Sequence, residues 1–163
     1  MSRLSLGRVQ IAERVAYSSR PWLPVPCLKT ECFQPDASPG EDLTVSIVDD
    51  DRALRDALRQ LMDSAGLAAE AFASAEEFLA SPSFSRTTCL ILDVRLPGMD
   101  GLELQRRLVA TGWKVPIVFI SAHADDQTRA QALQAGAFQF FDKPFSSTAL
   151  LEAIAAARLD LDR

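Results

Sequence analysis

Four apolar residues in a row, Cys89 to Leu92, end abruptly in an acid, Asp93; a Pro97-Gly98 turn follows, and a new amphipathic stretch opens at Gly101. A short apolar run bounded by turn residues reads as a strand covered on both faces, which a parallel sheet between two helical layers provides. Asp93 then stands where this strand reaches the carboxyl-end rim of its sheet. In open parallel α/β sheets that rim is where ligands bind.

The flanking sequence repeats the same unit. LTVSIV (Leu43–Val48) is a β-branched run followed at once by Asp49, Asp50 and Asp51. Leu54, Leu58, Leu61, Met62 and Ala65 then recur at helical spacing, and Gly66 supplies a stop. LAAEAF (Leu67–Phe72) reads as a second strand, and Ser74 with Glu77 forms a capping box before Phe78 and Leu79. After the third strand, Leu104 and Leu108 mark the buried side of a helix ended by Gly112. VPIVFIS closes a fourth strand at Ser121; Asp125 and Asp126 open a helix with Ala130 and Leu133 inward and Gly136 as its cap. AFQFF is the fifth strand, and DKPF follows it. Ser146 or Ser147 opens a last helix with Leu150, Ile154, Ala157 and Leu161 on one face.

Five βα units in about 120 residues fit one domain. Strands separated by helices pair in parallel through right-handed crossovers, with helices on both faces. The doubly wound order 2-1-3-4-5 suits five strands and sets strand 1 beside strand 3. Asp49 and Asp50 are then expected close to Asp93.

Composition narrows the function classes. A formal charge of -5 over 163 residues argues against nucleic-acid binding as the main task. Residues 1–42 stand apart: five of the nine prolines fall between Pro21 and Pro39, and ASPGED ends the stretch in linker residues. This segment is expected to be a flexible extension, or the product of a start codon set too far upstream; a short helix over Leu4–Val15 would have no partner face. The folded module is expected over 43–163. Cys27 and Cys32 lack companion ligands for zinc, and Cys89 belongs to the apolar strand. With no membrane-length apolar run and no secretory core near the N-terminus, cytoplasm is the default location.

Three carboxylates from neighbouring strands repel one another unless a cation intervenes, and a hard divalent ion such as Mg²⁺ resolves the conflict. Strands 4 and 5 would add a hydroxyl, Ser121, and a cation, Lys143, to the same rim. That set suits phosphoryl transfer with Asp93 as nucleophile. Each member has a plainer reading: a helix cap for Asp49–Asp51, a turn for Asp93, a strand-end hydroxyl for Ser121, a solvated amine for Lys143. Their joint placement at four strand ends carries the inference.

VDDD at Val48–Asp51, LDVRLPGMDG at Leu92–Gly101, ISA at Ile120–Ala122 and DKPF at Asp142–Phe145 resemble the four signatures of response-regulator receiver domains, over about Leu43–Leu159. RLPGMDG, SAEEFL at Ser74–Leu79 and GAFQFFDKPF at Gly136–Phe145 resemble the FixJ type in particular. The resemblance implies a flavodoxin-like, CheY-like three-layer sandwich and a phosphoacceptor in two-component signalling. Asp93 would take phosphate from a sensor histidine kinase or a histidine phosphotransfer protein. Asp50 and Asp93 would bind Mg²⁺ directly and Asp49 through water, with the Arg95 backbone carbonyl as a further ligand. Ser121, the Ala122 N–H and Lys143 would hold the phosphoryl oxygens, and the Lys143–Pro144 bond would be cis. Ser121 and Phe140 would form the switch, though Phe140 also reads as an ordinary core or edge aromatic. His123, two residues past Ser121, reads first as a surface histidine and second as a tuner of dephosphorylation.

FixJ-type regulators usually continue into a helix-turn-helix domain, which nothing here supplies, so the output is expected to be a downstream partner, a competing phosphate sink or a domain missing from this chain. A homodimer through helix 4, strand 5 and helix 5 is typical of the wider family. Two other readings compete. A phosphorylation-independent interaction module would ordinarily have lost a metal acid or the lysine, and all are present. A phosphatase of the haloacid-dehalogenase type would need a second Asp where Arg95 stands, and room for a cap domain. The expectation is therefore a signalling phosphoacceptor that acts catalytically only on itself.

Overall fold

The computed structural model describes residues 44–161; the expected N-terminal extension, Cys27, Cys32, the 4–15 helix, Leu43 and the expected inward side chain of Leu161 lie outside what is described. The elements alternate strictly: β1 (Thr44–Val48), α1 (Arg52–Ser64), β2 (Ala69–Phe72), α2 (Ala75–Ala80), β3 (Thr87–Asp93), α3 (Gly101–Ala110), β4 (Ile117–Ser121), α4 (Asp126–Gln134), β5 (Gln139–Asp142) and α5 (Ser147–Leu161). A 3₁₀ turn, Pro82–Arg86, precedes β3 and has no counterpart in the sequence reading. The five strands form one parallel sheet in the order β2-β1-β3-β4-β5.

Alternate residues of the central strands enter two separate cores, because successive side chains of a strand point to opposite faces. Cys89 and Ile91 of β3 and Val118 and Ile120 of β4 pack with Leu58, Met62, Leu150 and Ile154 of α1 and α5. Leu90, Leu92, Ile117 and Phe119 pack on the other face with Phe78, Leu104, Leu108 and Ala132 of α2, α3 and α4. Both faces are covered, so the central runs of β3 and β4 are almost entirely apolar.

Local chemistry sets the helix ends. Asp51, Ser74, Asp100 and Asp125 each accept a backbone N–H of the turn they precede, the expected cap geometry. Glu77 completes the box at α2 by reaching back to the Ala73 N–H at 2.7 Å, one residue beyond the cap itself. Ser146, just outside α5, accepts the Ala149 N–H. The glycines expected to stop α1, α3 and α4 stand at those ends with φ between 72° and 96°.

Three local expectations are corrected. Ala65 caps α1 at its C-terminus and is exposed, so the buried stripe of that helix ends at Met62. β5 begins two residues later than AFQFF suggests and includes Asp142. In α4 the inward residues are not Ala130 and Leu133, both exposed, but Ala132 and, one turn before it, Arg129. The Arg129 guanidinium lies 4.9 Å above the Phe140 ring and pairs with Asp142. A hydropathy pattern cannot place an arginine inward, yet its charged head here covers an aromatic on the neighbouring strand.

Candidate functional site

The carboxyl ends of β1, β3, β4 and β5 lie side by side, which brings Asp49, Asp93, Ser121 and Lys143 to one rim. Asp49 directly follows β1, Asp93 ends β3, Ser121 ends β4 and Lys143 directly follows β5. The rim is anchored through the backbone: the Asp49 N–H donates to the Phe72 carbonyl at 3.2 Å, and the Lys143 N–H to the Ser121 carbonyl at 2.8 Å.

Lys143 ties the acids together. Its Nζ is 2.7 Å from Asp93 Oδ2 and 2.9 Å from Asp49 Oδ2. The second oxygen of Asp93 accepts the Arg95 N–H at 2.9 Å, and that of Asp49 accepts the Asp51 N–H at 2.8 Å. Both carboxylates are buried, Asp49 completely. Burial raises the Asp49 pKa above its ordinary value, against the opposing pull of the Lys143 and Asp51 hydrogen bonds. Burial likewise disfavours the Lys143 charge, but the bonds and attraction of Asp93 and Asp49 outweigh it and its pKa is raised. One ammonium is thus shared between two carboxylates.

Asp50 adds a third acid and is exposed; a carboxylate oxygen from each of Asp49, Asp50 and Asp93 lies within 4.8 Å of the others. Three hard oxygen donors at that spacing suit Mg²⁺, a cation that binds one or two carboxylates and keeps several waters. Asp51 plays the other role weighed for the cluster, capping α1.

Ser121 Oγ is fully buried and has no hydrogen-bond partner among the described residues. A buried hydroxyl left unpaired costs free energy, so this one is available to a polar group bound at the acidic pocket. Ala122 and His123 follow it on the exposed rim, and the Arg95 side chain is exposed as well. Phe140 does not join the acids. It is buried in the core on the α2–α4 side, its ring stacked 5.9 Å from Phe119. The Lys143–Pro144 peptide is cis.

Two further residues support the rim. Arg55, a turn into α1, donates to the Asp49 carbonyl at 2.7 Å. Gly101 lies against the end of β3, where the Asp93 and Val94 backbone leaves no room for a side chain. LPGMDG carries a signal for that glycine; nothing near Arg55 distinguishes it from a solvated helix arginine.

A protein-family profile described as "Response regulator receiver domain" matches residues 45–155. The response regulator protein TodT of Pseudomonas putida is 49% identical over 113 residues, covering 69% of this chain and 50% of TodT. Among solved structures, response regulator StyR is 46% identical with a TM-score of 0.66, over 71% of this chain and 59% of that one. FixJ-N is 37% identical with a TM-score of 0.65, over 72% of this chain and 94% of that one. The chain spans about half the length of the curated relatives it matches. Among the described residues no helix is long and apolar enough to cross a membrane.

Proposed function

The chain belongs to the response-regulator receiver family, and from that premise we propose that Asp93 accepts a phosphoryl group from a sensor histidine kinase or a histidine phosphotransfer protein. The observation that carries this reading is the Lys143 bridge between Asp93 and Asp49, beside the buried Ser121 hydroxyl, which has no partner among the described residues. An Asp93 oxygen attacks phosphorus; the O–P bond forms as the P–N bond of a phosphohistidine breaks, and the imidazole leaves with the electron pair. Water attacking the same phosphorus later returns the carboxylate and inorganic phosphate. The chain catalyses only these steps on itself.

Asp49, Asp50, Asp93 and the Arg95 carbonyl would hold Mg²⁺. When bound, the ion supplies charge neutralisation for the carboxylates and the incoming phosphoryl oxygens. Lys143, freed from one Asp93 oxygen, pairs with the phosphoryl group. The Ser121 hydroxyl and the Ala122 N–H donate to its oxygens, which gives Ser121 the partner its burial demands.

A phosphoryl group adds roughly -1.5 to -2 charge at neutral pH. It shifts a two-state equilibrium only through contacts that differ between the states. Ser121 and Phe140 are the proposed switch, with the Arg129 stack on Phe140 as the contact that changes. The same proposal holds residues 1–42 as an extension and 43–163 as the receiver, with a downstream protein partner and a cytoplasmic location. A homodimer through α4, β5 and α5 is part of it, supported by the exposure of Leu133 and Leu159 on the two helices.

Intact-mass analysis after incubation with Mg²⁺ and a small phosphodonor tests the reading, with Asp93→Asn as control. One added phosphoryl group in the wild type only, absent on chelation, is expected. No gain under conditions that label a known receiver overturns it in favour of a phosphorylation-independent interaction module.

A further inference from the structure

The loop between β3 and α3 carries Arg95, and a small set of hydrogen bonds among the described residues holds its backbone. Its own residues supply two of these: the Arg95 N–H donates to Asp93 Oδ1 at 2.9 Å and the Gly101 N–H to the Val94 carbonyl at 2.9 Å. Val94, Leu96 and Met99 bury their side chains in the core beneath. The tip is gripped from another element. Glu76, in the first turn of α2, accepts the Met99 N–H on Oε1 at 3.0 Å. The same carboxylate lies over Gly98, where a Cβ would come 2.9 Å from Oε1. Gly98 has φ +79°, a left-handed turn that places the following N–H under Glu76.

Hydrogen bonds from its own backbone N–H and from Met99 hold the Glu76 pKa below its ordinary value. The carboxylate is therefore charged at neutral pH, and the Met99 bond is a charge-assisted one.

We propose that Glu76 is a positioning residue for the acidic site: by fixing the Gly98–Met99 turn it fixes the loop that presents the Arg95 carbonyl, and so sets the affinity for Mg²⁺. The inference rests on the receiver reading above and assigns Glu76 no contact with metal or phosphate. What the site needs from residue 76 is an acceptor oxygen at the reach of a glutamate. Glutamine keeps that oxygen without the charge, aspartate keeps the charge without the reach, and alanine keeps neither.

The test is a titration of the 163-residue chain with Mg²⁺, followed by amide shifts of the 93–101 segment, at a temperature where every variant is folded. Glu76→Ala and Glu76→Asp are expected to raise the Mg²⁺ dissociation constant about three- to tenfold, the range one such hydrogen bond allows, and Glu76→Gln to stay within about twofold. Glu76 is exposed, so a merely structural role would move the unfolding midpoint and leave the metal affinity of the folded protein alone. Should Glu76→Ala fail to fold, the aspartate and glutamine variants decide the question. Wild-type affinity in Glu76→Asp, or loss in Glu76→Gln as large as in Glu76→Asp, overturns the assignment while leaving the receiver reading in place. Absence of saturable Mg²⁺ binding by the wild type overturns both.

Discussion

A Cβ on Gly101 would lie 2.2 Å from the carbonyl oxygen of Asp93. The first residue of α3 is thus pressed against the last residue of β3, and the loop between them folds back on itself through the Gly101 N–H bond to Val94. Whatever holds this approach also holds the Asp93 carboxylate at the rim.

Gly101→Ala must therefore push α3 away from the strand end. Overpacking of this kind costs about 1–3 kcal/mol. Urea unfolding should show a loss in that range, and amide shifts at Asp93 should move. Unchanged stability would mean that the loop yields easily and does not determine where Asp93 sits.

The Asp49 carboxylate is a burden on the metal-free protein. Burial raises its pKa above the ordinary 3.8, so folding disfavours its charged form. The contribution of Asp49 is fully favourable below that value and is lost as pH rises through the raised one. Asp49→Asn is expected to be more stable than wild type at pH about 7 without Mg²⁺, and the advantage should vanish near pH 3. Denaturant titrations at the two pH values check this; a variant less stable than wild type at neutral pH would contradict it.

Lys143→Met removes the cation shared by Asp49 and Asp93. Breaking a fully buried pair costs about 3–5 kcal/mol. The Lys143 side chain is 20% exposed, so a loss of about 2–3 kcal/mol is expected in Mg²⁺-free buffer. Millimolar Mg²⁺ should restore part of it, because a divalent ion relieves the same repulsion. An equal deficit with and without Mg²⁺ would show that the ion does not neutralise these acids.

Burial pushes the Cys89 thiol up to about 12, from an ordinary 9.0. Between those values the unfolded chain releases the proton and the folded chain does not. The stability tied to Cys89 is fully present below about pH 9 and falls as pH rises toward 12, by up to about 1.4 kcal/mol per pH unit. Wild type should lose more stability than Cys89→Ala between about pH 8 and pH 10. Parallel losses in the two proteins would place the thiol in contact with solvent.

Short, mainly apolar runs, most of them ended by a polar group and each followed by a helical pattern, are enough to read five parallel βα units; the doubly wound order that suits five strands supplies their arrangement. The signal is strong because it is local: strands buried on both faces are mostly apolar, and Asp51, Ser74 and Asp125 bond to backbone atoms two or three positions on. The inward face of α4 is not legible in hydropathy because Arg129 meets Phe140 and Asp142 of β5, a partner strand whose position hydropathy does not encode. Glu76 and Arg55 escaped notice for a related reason. Each bonds to a backbone atom of another segment, and a backbone atom leaves no mark in a sequence.

The sequence by itself determined which residues would be available at the rim, since period and turn chemistry place Asp49, Asp93, Ser121 and Lys143 at strand ends. Tertiary structure decided how they meet. The parallel order β1-β3-β4-β5 sets one ammonium between two buried carboxylates and, among the described residues, leaves the Ser121 hydroxyl without a partner. Strand-end positions follow from local backbone preferences, whereas distances of under 3 Å between residues 50 or 94 positions apart arise only when the packing of two cores forces the strands together.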